Sequence, residues 1–248
     1  MSSSPARGAG FMLQGLRLIT RPGLRRFVLA PLAVNIVIFA SAIWGGAAWF
    51  AVLIERLQAS VPDWLSWLDW LLWPIFVLVL LVIVFYSFTL VANLIAAPFN
   101  GLLAEKTEAL LTGRPLADAG DYRKLIKELP VTLLEETRKL LYALLWTLPF
   151  LVLAFVVPLV GPLIWFLFTA WMLAVQYSDF PMGNHGLRFR TMRATLRRRR
   201  TLSLGFGAAA VGMTMVPVLN FVVMPAAVAG ATAMWVGELR DVAHARGR

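Results

Sequence analysis

The chain has 248 residues, 60% of them hydrophobic and 15% charged, with a mean hydropathy of +0.76, outside the range of a soluble domain with a solvated surface. It reads as an integral membrane protein, and the absence of cysteine excludes disulfides, thiolate catalysis and cysteine-based metal sites. The formal net charge is +10, and the placement of that charge along the chain says more than its size.

The first ten residues, MSSSPARGAG, contain no apolar h-region, and the apolar run that begins at Phe27 is too long for one, so no cleaved signal peptide is expected. Arg21 to Pro31, RPGLRRFVLAP, then places a Pro-Gly turn and two adjacent arginines ahead of that run. Phe27 to Ile54 is about 28 residues and roughly 42 Å as a helix, and Leu71 to Ala97 is nearly as long; both exceed the ~20 residues needed to span a bilayer. Spans 27–54 and 71–97 are therefore expected to be transmembrane helices. Trp64, Trp67, Trp70 and Trp73 in and beside the loop joining them read as an interfacial belt.

Pro98 ends the second helix, and NGLLAEKTEALLTGRP reads as a further helix with Asn100 as N-cap and Gly113 and Pro115 as its stop. From Tyr122, leucine and isoleucine recur at three- and four-residue spacing among lysines, arginines and glutamates. This is an amphipathic helix bent at Pro130, running along the interface or into the next apolar segment, its charges a solvated face with Glu135 and Lys139 one turn apart. Region 98–139 is thus expected to be cytoplasmic or interfacial.

The remaining apolar segments are short. Region 140–177 is broken at Pro158 to Pro162, PLVGP, and region 204–237 at Pro217 to Asn220, PVLN, and again at Pro225. Two broken helical hairpins amount to an internal repeat. Short, Pro/Gly-interrupted apolar segments in corresponding places point to half-membrane helices lining a transport path; four full spans with very short outer turns are the alternative. The expected architecture is one all-α membrane domain over 1–248, with two long transmembrane helices and two short hairpins that penetrate the bilayer in part.

Basic residues cluster before Phe27, between Phe99 and Lys139, between Arg188 and Arg200, and in the tail, while Arg56 alone falls in the loop at 55–70. The positive-inside rule places both termini on the cytoplasmic side. The tract LRRRR, Leu196 to Arg200, lies beside a membrane segment, where topology or anionic lipid accounts for it better than nucleic acid does.

Little in the chain could carry catalysis. No GxxxxGK[ST] loop, HExxH, Ser/His/Asp or paired-carboxylate cluster occurs, and His185 and His244 are too few and too far apart to suggest a metal centre. Neither an enzyme nor a cofactor is expected. The polar groups in the apolar segments are mostly amides, Asn35, Asn93, Gln176 and Asn220, which can bond a permeating ion without trapping it but serve equally as interhelical glue. With the hairpin breaks at Pro158, Gly161 and Pro217, Asn35, Asn93 and Asn220 form the candidate ion path.

At Gly23, Leu24, Arg25 and Arg26 two readings compete. Gly23 permits close approach, a helix start exposes unpaired N–H groups, and paired guanidinium forks suit a tetrahedral oxyanion. Arginines before a first transmembrane helix are also what topology alone requires, and on the residues alone the anchor comes first.

The strings RPGLRRFVLAPLAVNI, NLIAAPFNGLLAE, FTAWMLAVQYSDFPMGNH and TMVPVLNFVVMPAAVAGATAMWV together resemble the CysZ-type sulfate permeases of bacterial inner membranes, in order and over nearly the whole chain. The resemblance implies sulfate uptake for assimilation into cysteine, two long transmembrane helices with two partly penetrating hairpins, and a homo-oligomer in the inner membrane. It also implies an oxyanion site at a Gly-Leu/Ile-Arg-Arg motif, here Gly23, Leu24, Arg25 and Arg26. A cytoplasmic oxyanion site is unexpected in an importer; it would sit at the exit or sense internal sulfate. The rival readings are a structural or regulatory membrane protein that conducts nothing, and a lipid-modifying enzyme.

Overall fold

The computed structural model describes residues 4–60, 74–75, 77–78, 81–82, 99–114, 122–157 and 160–244, and no strand occurs among them. In chain order the helices are α1 (Pro5–Ile19), α2 (Arg25–Ser60), α3 (99–112), α4 (Tyr122–Val156), α5 (Gly161–Asn184), α6 (Phe189–Arg198), α7 (Arg200–Thr214), α8 (Pro217–Met234), a π turn over Trp235–Leu239, and α9 (Arg240–His244). The chain divides into two compact units, Leu29–Phe99 and the remainder. In the first of these, α2 continues unbroken past the expected span to 36 residues, roughly 54 Å at 1.5 Å per residue. Most of the expected second span, 71–97, lies outside the described residues, as do the four loop tryptophans.

The larger unit is built around α1, a helix that hydropathy does not announce. Ser4 caps it, its hydroxyl accepting from the Arg7 N–H at 3.3 Å, and Pro5 opens its first turn, where a missing N–H costs nothing. Its buried face is Gly8, Met12, Gly15, Leu18 and Ile19, at the three- and four-residue spacing of one helical stripe. The two glycines let backbone meet backbone. A Cβ on Gly8 would overlap the Leu202 carbonyl of α7, and one on Gly15 would overlap the Ala226 carbonyl of α8. Such small-residue crossings are how helices associate where apolar surface alone gives no preference for protein over lipid. Arg7 pairs with Glu238, Phe11 meets Gly230 and Gly15 meets Ala226, so α1 runs antiparallel to α8.

The interfacial helix and the first hairpin arm are one continuous helix, α4, which passes through Pro130 and does not end near Lys139. Thr137–Val156, Gly161–Asn184 and Pro217–Ala243 are, among the described residues, long and apolar enough to cross a membrane, and none of the first is buried in the protein. In the first hairpin α4 ends at Val156 and α5 opens at Gly161, where a Cβ would overlap the Ala154 carbonyl, so the close approach of the two arms depends on glycine there. Its second arm continues past Tyr177 to Asn184.

In the second hairpin the break is two residues earlier than the sequence suggests. Met215 and Val216 form the bend, and Pro217 is already the first residue of α8, because its fixed φ suits a helix start. Pro225 lies inside α8 without ending it; its cost is confined to the Phe221 carbonyl, which loses its usual i+4 donor. The hairpin tip is apolar and exposed, with Val218 78% and Phe221 81% accessible. With 15 residues, α7 is only about 22 Å long.

The π turn after α8 brings Glu238 into the protein, where its side chain is 6% exposed, ion-paired with Arg7 of α1 and 3.9 Å from Arg199 at the α6–α7 junction. One carboxylate thereby ties both ends of the chain to the base of the second hairpin. Glu238→Ala is expected to cost about 2–3 kcal/mol, somewhat below the full price of a broken buried pair because both guanidinium partners retain solvent contact. The thermal unfolding midpoint in detergent checks this, with Arg7→Gln expected to shift it less.

Candidate functional site

The turn between α1 and α2 is fixed from beneath by apolar side chains. Leu18 and Ile19 close α1 against the core, and Leu24, 3% exposed, anchors the far side of the turn. Between them Gly23 adopts φ +90°, a left-handed conformation open to glycine and strained for other residues. The Arg21 carbonyl accepts from both Leu24 N–H (3.2 Å) and Arg25 N–H (3.3 Å), and the Leu24 carbonyl from Phe27 N–H (3.0 Å).

These bonds revise one expectation. The amides of Leu24, Arg25 and Phe27 are consumed by the turn, so the start of α2 is not an open row of N–H donors. Among the described residues only the Gly23 and Arg26 amides of this turn lack a backbone partner. Any anion contact at this turn would fall chiefly to the side chains.

Those side chains point outward. Arg17, Arg21, Arg25 and Arg26 are all exposed, and the sequence contains no aspartate or glutamate before Glu55. Among the described residues no carboxylate pairs with Arg25 or Arg26. The Arg26 guanidinium lies 4.9 Å from the Phe27 ring centroid, a cation–π contact that limits where the fork can go. The result is two adjacent exposed guanidinium groups, Arg25 and Arg26, at the start of α2, with Arg21 on the turn before them and no ion pair to either among the described residues. It can bind a compact polyanion and has no nucleophile or general base with which to act on one.

The other predicted positions lie on separate elements. Asn35 lies on α2 with its Oδ1 enclosed and without a hydrogen-bond partner among the described residues. Gly161 and Pro217 are the first residues of α5 and α8, the second arms of the two hairpins, and Asn220 is exposed in the first turn of α8, its N–H bonded to the Val216 carbonyl at 2.9 Å. Gln176 is exposed on α5. Asn93 and Pro158 lie outside the described residues.

A second polar group escapes sequence reasoning. His185 Nε2 is 2.9 Å from both carboxylate oxygens of Glu108, 77 positions away, and the His185 ring centroid is 5.3 Å from that of Trp235. Beside this contact Asn184 Nδ2 donates to the Gly101 carbonyl at 3.0 Å, which joins α3 to the end of α5. Asn100, expected to cap α3, is instead a buried residue within it. His185 in fact serves as an interhelical link, which no local spacing could reveal.

The family described as sulfate transporter CysZ/etoposide-induced protein 2.4 matches residues 11–225. The chain belongs to that family. The matched span begins within α1, includes the Gly23–Arg26 turn and both hairpin turns, and ends inside α8. Two features fall beyond it: the start of α1 with Arg7 and Gly8, and the π turn with Glu238. The family's span therefore holds the arginine turn, while the ion pair that closes the base of the second hairpin is made by residues outside it.

Proposed function

We propose that the chain is a sulfate permease of the bacterial inner membrane, supplying sulfate for assimilation into cysteine and working as a homo-oligomer, with Arg25 and Arg26 binding the dianion. The observation that carries this reading is the arginine turn: two exposed guanidinium forks on a glycine-dependent bend, anchored by a buried leucine and ion-paired with no carboxylate among the described residues. Charge-assisted forks of this kind are the strongest protein ligands for tetrahedral oxyanions.

The second hairpin supports a path. An arm of about 22 Å falls short of a hydrocarbon core of about 30 Å, and an exposed Val218 and Phe221 at the tip favour apolar surroundings over water. A hairpin that enters and returns on one side fits both facts. Because α1 runs antiparallel to α8, the arginine turn is carried away from the α6–α7 junction and towards the tip. On this reading Arg25 and Arg26 act at depth along the path, and the conflict between an importer and a site at its inner mouth is eased.

Purified protein reconstituted into liposomes is expected to take up labelled sulfate down a gradient or under a proton-motive force, and to do so saturably. Uptake no greater than that of protein-free vesicles under both conditions refutes transport and leaves the structural or regulatory reading.

A further inference from the structure

Helix α6, FRTMRATLRR, takes no part in the path proposed above. It buries Phe189, Met192, Thr195 and Leu196, and Arg190, Arg193 and Arg197 form an adjoining stripe at three- and four-residue spacing, Arg190 and Arg197 exposed and Arg193 half-buried. These three line one cleft of about 230 Å³ together with Ala194. Among the described residues none of the three is ion-paired. Arg193 is held in place: its guanidinium carbon lies 4.7 Å from the Tyr142 ring centroid and 5.6 Å from that of Phe189, and Tyr142 in turn accepts a hydrogen bond from Trp171 Nε1 at 3.0 Å.

Tyr142 locates the cleft relative to the membrane. It lies near the start of the Thr137–Val156 span, just past the Lys139–Asp179 ion pair, and tyrosine and tryptophan together at such a level mark a headgroup boundary. Beside it Leu141 and, further along the span, Leu145 and Leu148, on one face of α4, are exposed. A free oxyanion would use only the cationic half of this surface, in an open position where salt screens it. A ligand with an anionic head and an apolar tail uses both halves.

We propose that the Arg190–Arg193–Arg197 cleft holds the phosphate of an anionic glycerophospholipid, whose acyl chains lie along Leu141, Leu145 and Leu148. The test uses delipidated full-length protein in a neutral detergent, titrated with phosphatidylglycerol or phosphatidylcholine and read by native mass spectrometry. Saturable binding is expected for phosphatidylglycerol and not for phosphatidylcholine. Arg190→Gln/Arg197→Gln, both exposed positions that leave the Arg193 ring contacts intact, is expected to weaken phosphatidylglycerol binding by about thirtyfold, the sum of two cations near a lipid surface. Arg198→Gln/Arg200→Gln removes the same charge outside the cleft and is expected to change it less than about twofold. An equal loss in both variants would reduce the site to a diffuse field, and equal binding of the two lipids would remove it. Displacement of bound lipid by millimolar inorganic phosphate, with phosphate binding dependent on the same arginines, would make it a free-oxyanion site and overturn the proposal.

Discussion

Arg25→Ala/Arg26→Ala is expected to lower sulfate affinity by at least two orders of magnitude and to abolish saturable uptake, since each charge-assisted hydrogen bond removed is worth about 1.5–3 kcal/mol. Both side chains are exposed, and the turn is anchored by Leu24 beneath them, so the variant should fold and insert normally. The informative comparison is lysine at both positions. Lysine keeps the charge that a topological anchor needs but lacks the planar fork, and the double-lysine variant is expected to bind sulfate about tenfold more weakly than the native protein. Calorimetric titration in detergent and vesicle flux read the two effects separately. Native affinity in the double-lysine protein would return the pair to an anchoring role.

The largest effect on stability is expected where α1 seats between α7 and α8. Gly8→Val and Gly15→Val each drive a side chain into a main-chain carbonyl that cannot swing aside as a flexible side chain could. Each is expected to cost about 3 kcal/mol or more, at or above the upper end for overpacked cores. Gly10, two residues after Gly8 and on the exposed side of α1, provides the control. A Cβ there meets nothing within 4 Å, so Gly10→Ala is expected to be neutral or to stabilise by up to about 1 kcal/mol through helix propensity. Thermal unfolding in detergent ranks the three. Gly15→Val should also weaken sulfate binding, because α1 delivers the arginine turn; if it leaves both unfolding midpoint and affinity at native values, α1 does not hold that turn in place.

What could be read in advance follows from how each feature is encoded. The helical class and the two hairpins were legible because long apolar runs and Pro/Gly interruptions are local signals. Their exact breaks were less so: Pro217 interrupts a pattern on paper yet starts a helix in the protein, and Pro225 and Pro130 sit within helices that continue through them. α1 was missed because its contact face is made partly of glycine, which hydropathy scores low although close main-chain approaches occur there. The Ser4-Pro5 cap and the stripe at 8, 12, 15 and 19 were the available signal. At the arginine turn the residues were visible, but the consumption of the Leu24, Arg25 and Phe27 amides was not, since it depends on the turn geometry. The Glu108–His185 and Arg7–Glu238 contacts join residues far apart in sequence, and no periodicity marks such partners.

The position of α1 has a consequence for how the chain is made. Its glycine face finds its partners at residues 202–230, far along the chain, so α1 must wait without those partners until α7 and α8 have been made. Contacts of such sequence separation form late and slowly. A chain stopped before α7 would have no seat for α1, so completion of the second hairpin acts as a checkpoint on the arginine turn itself.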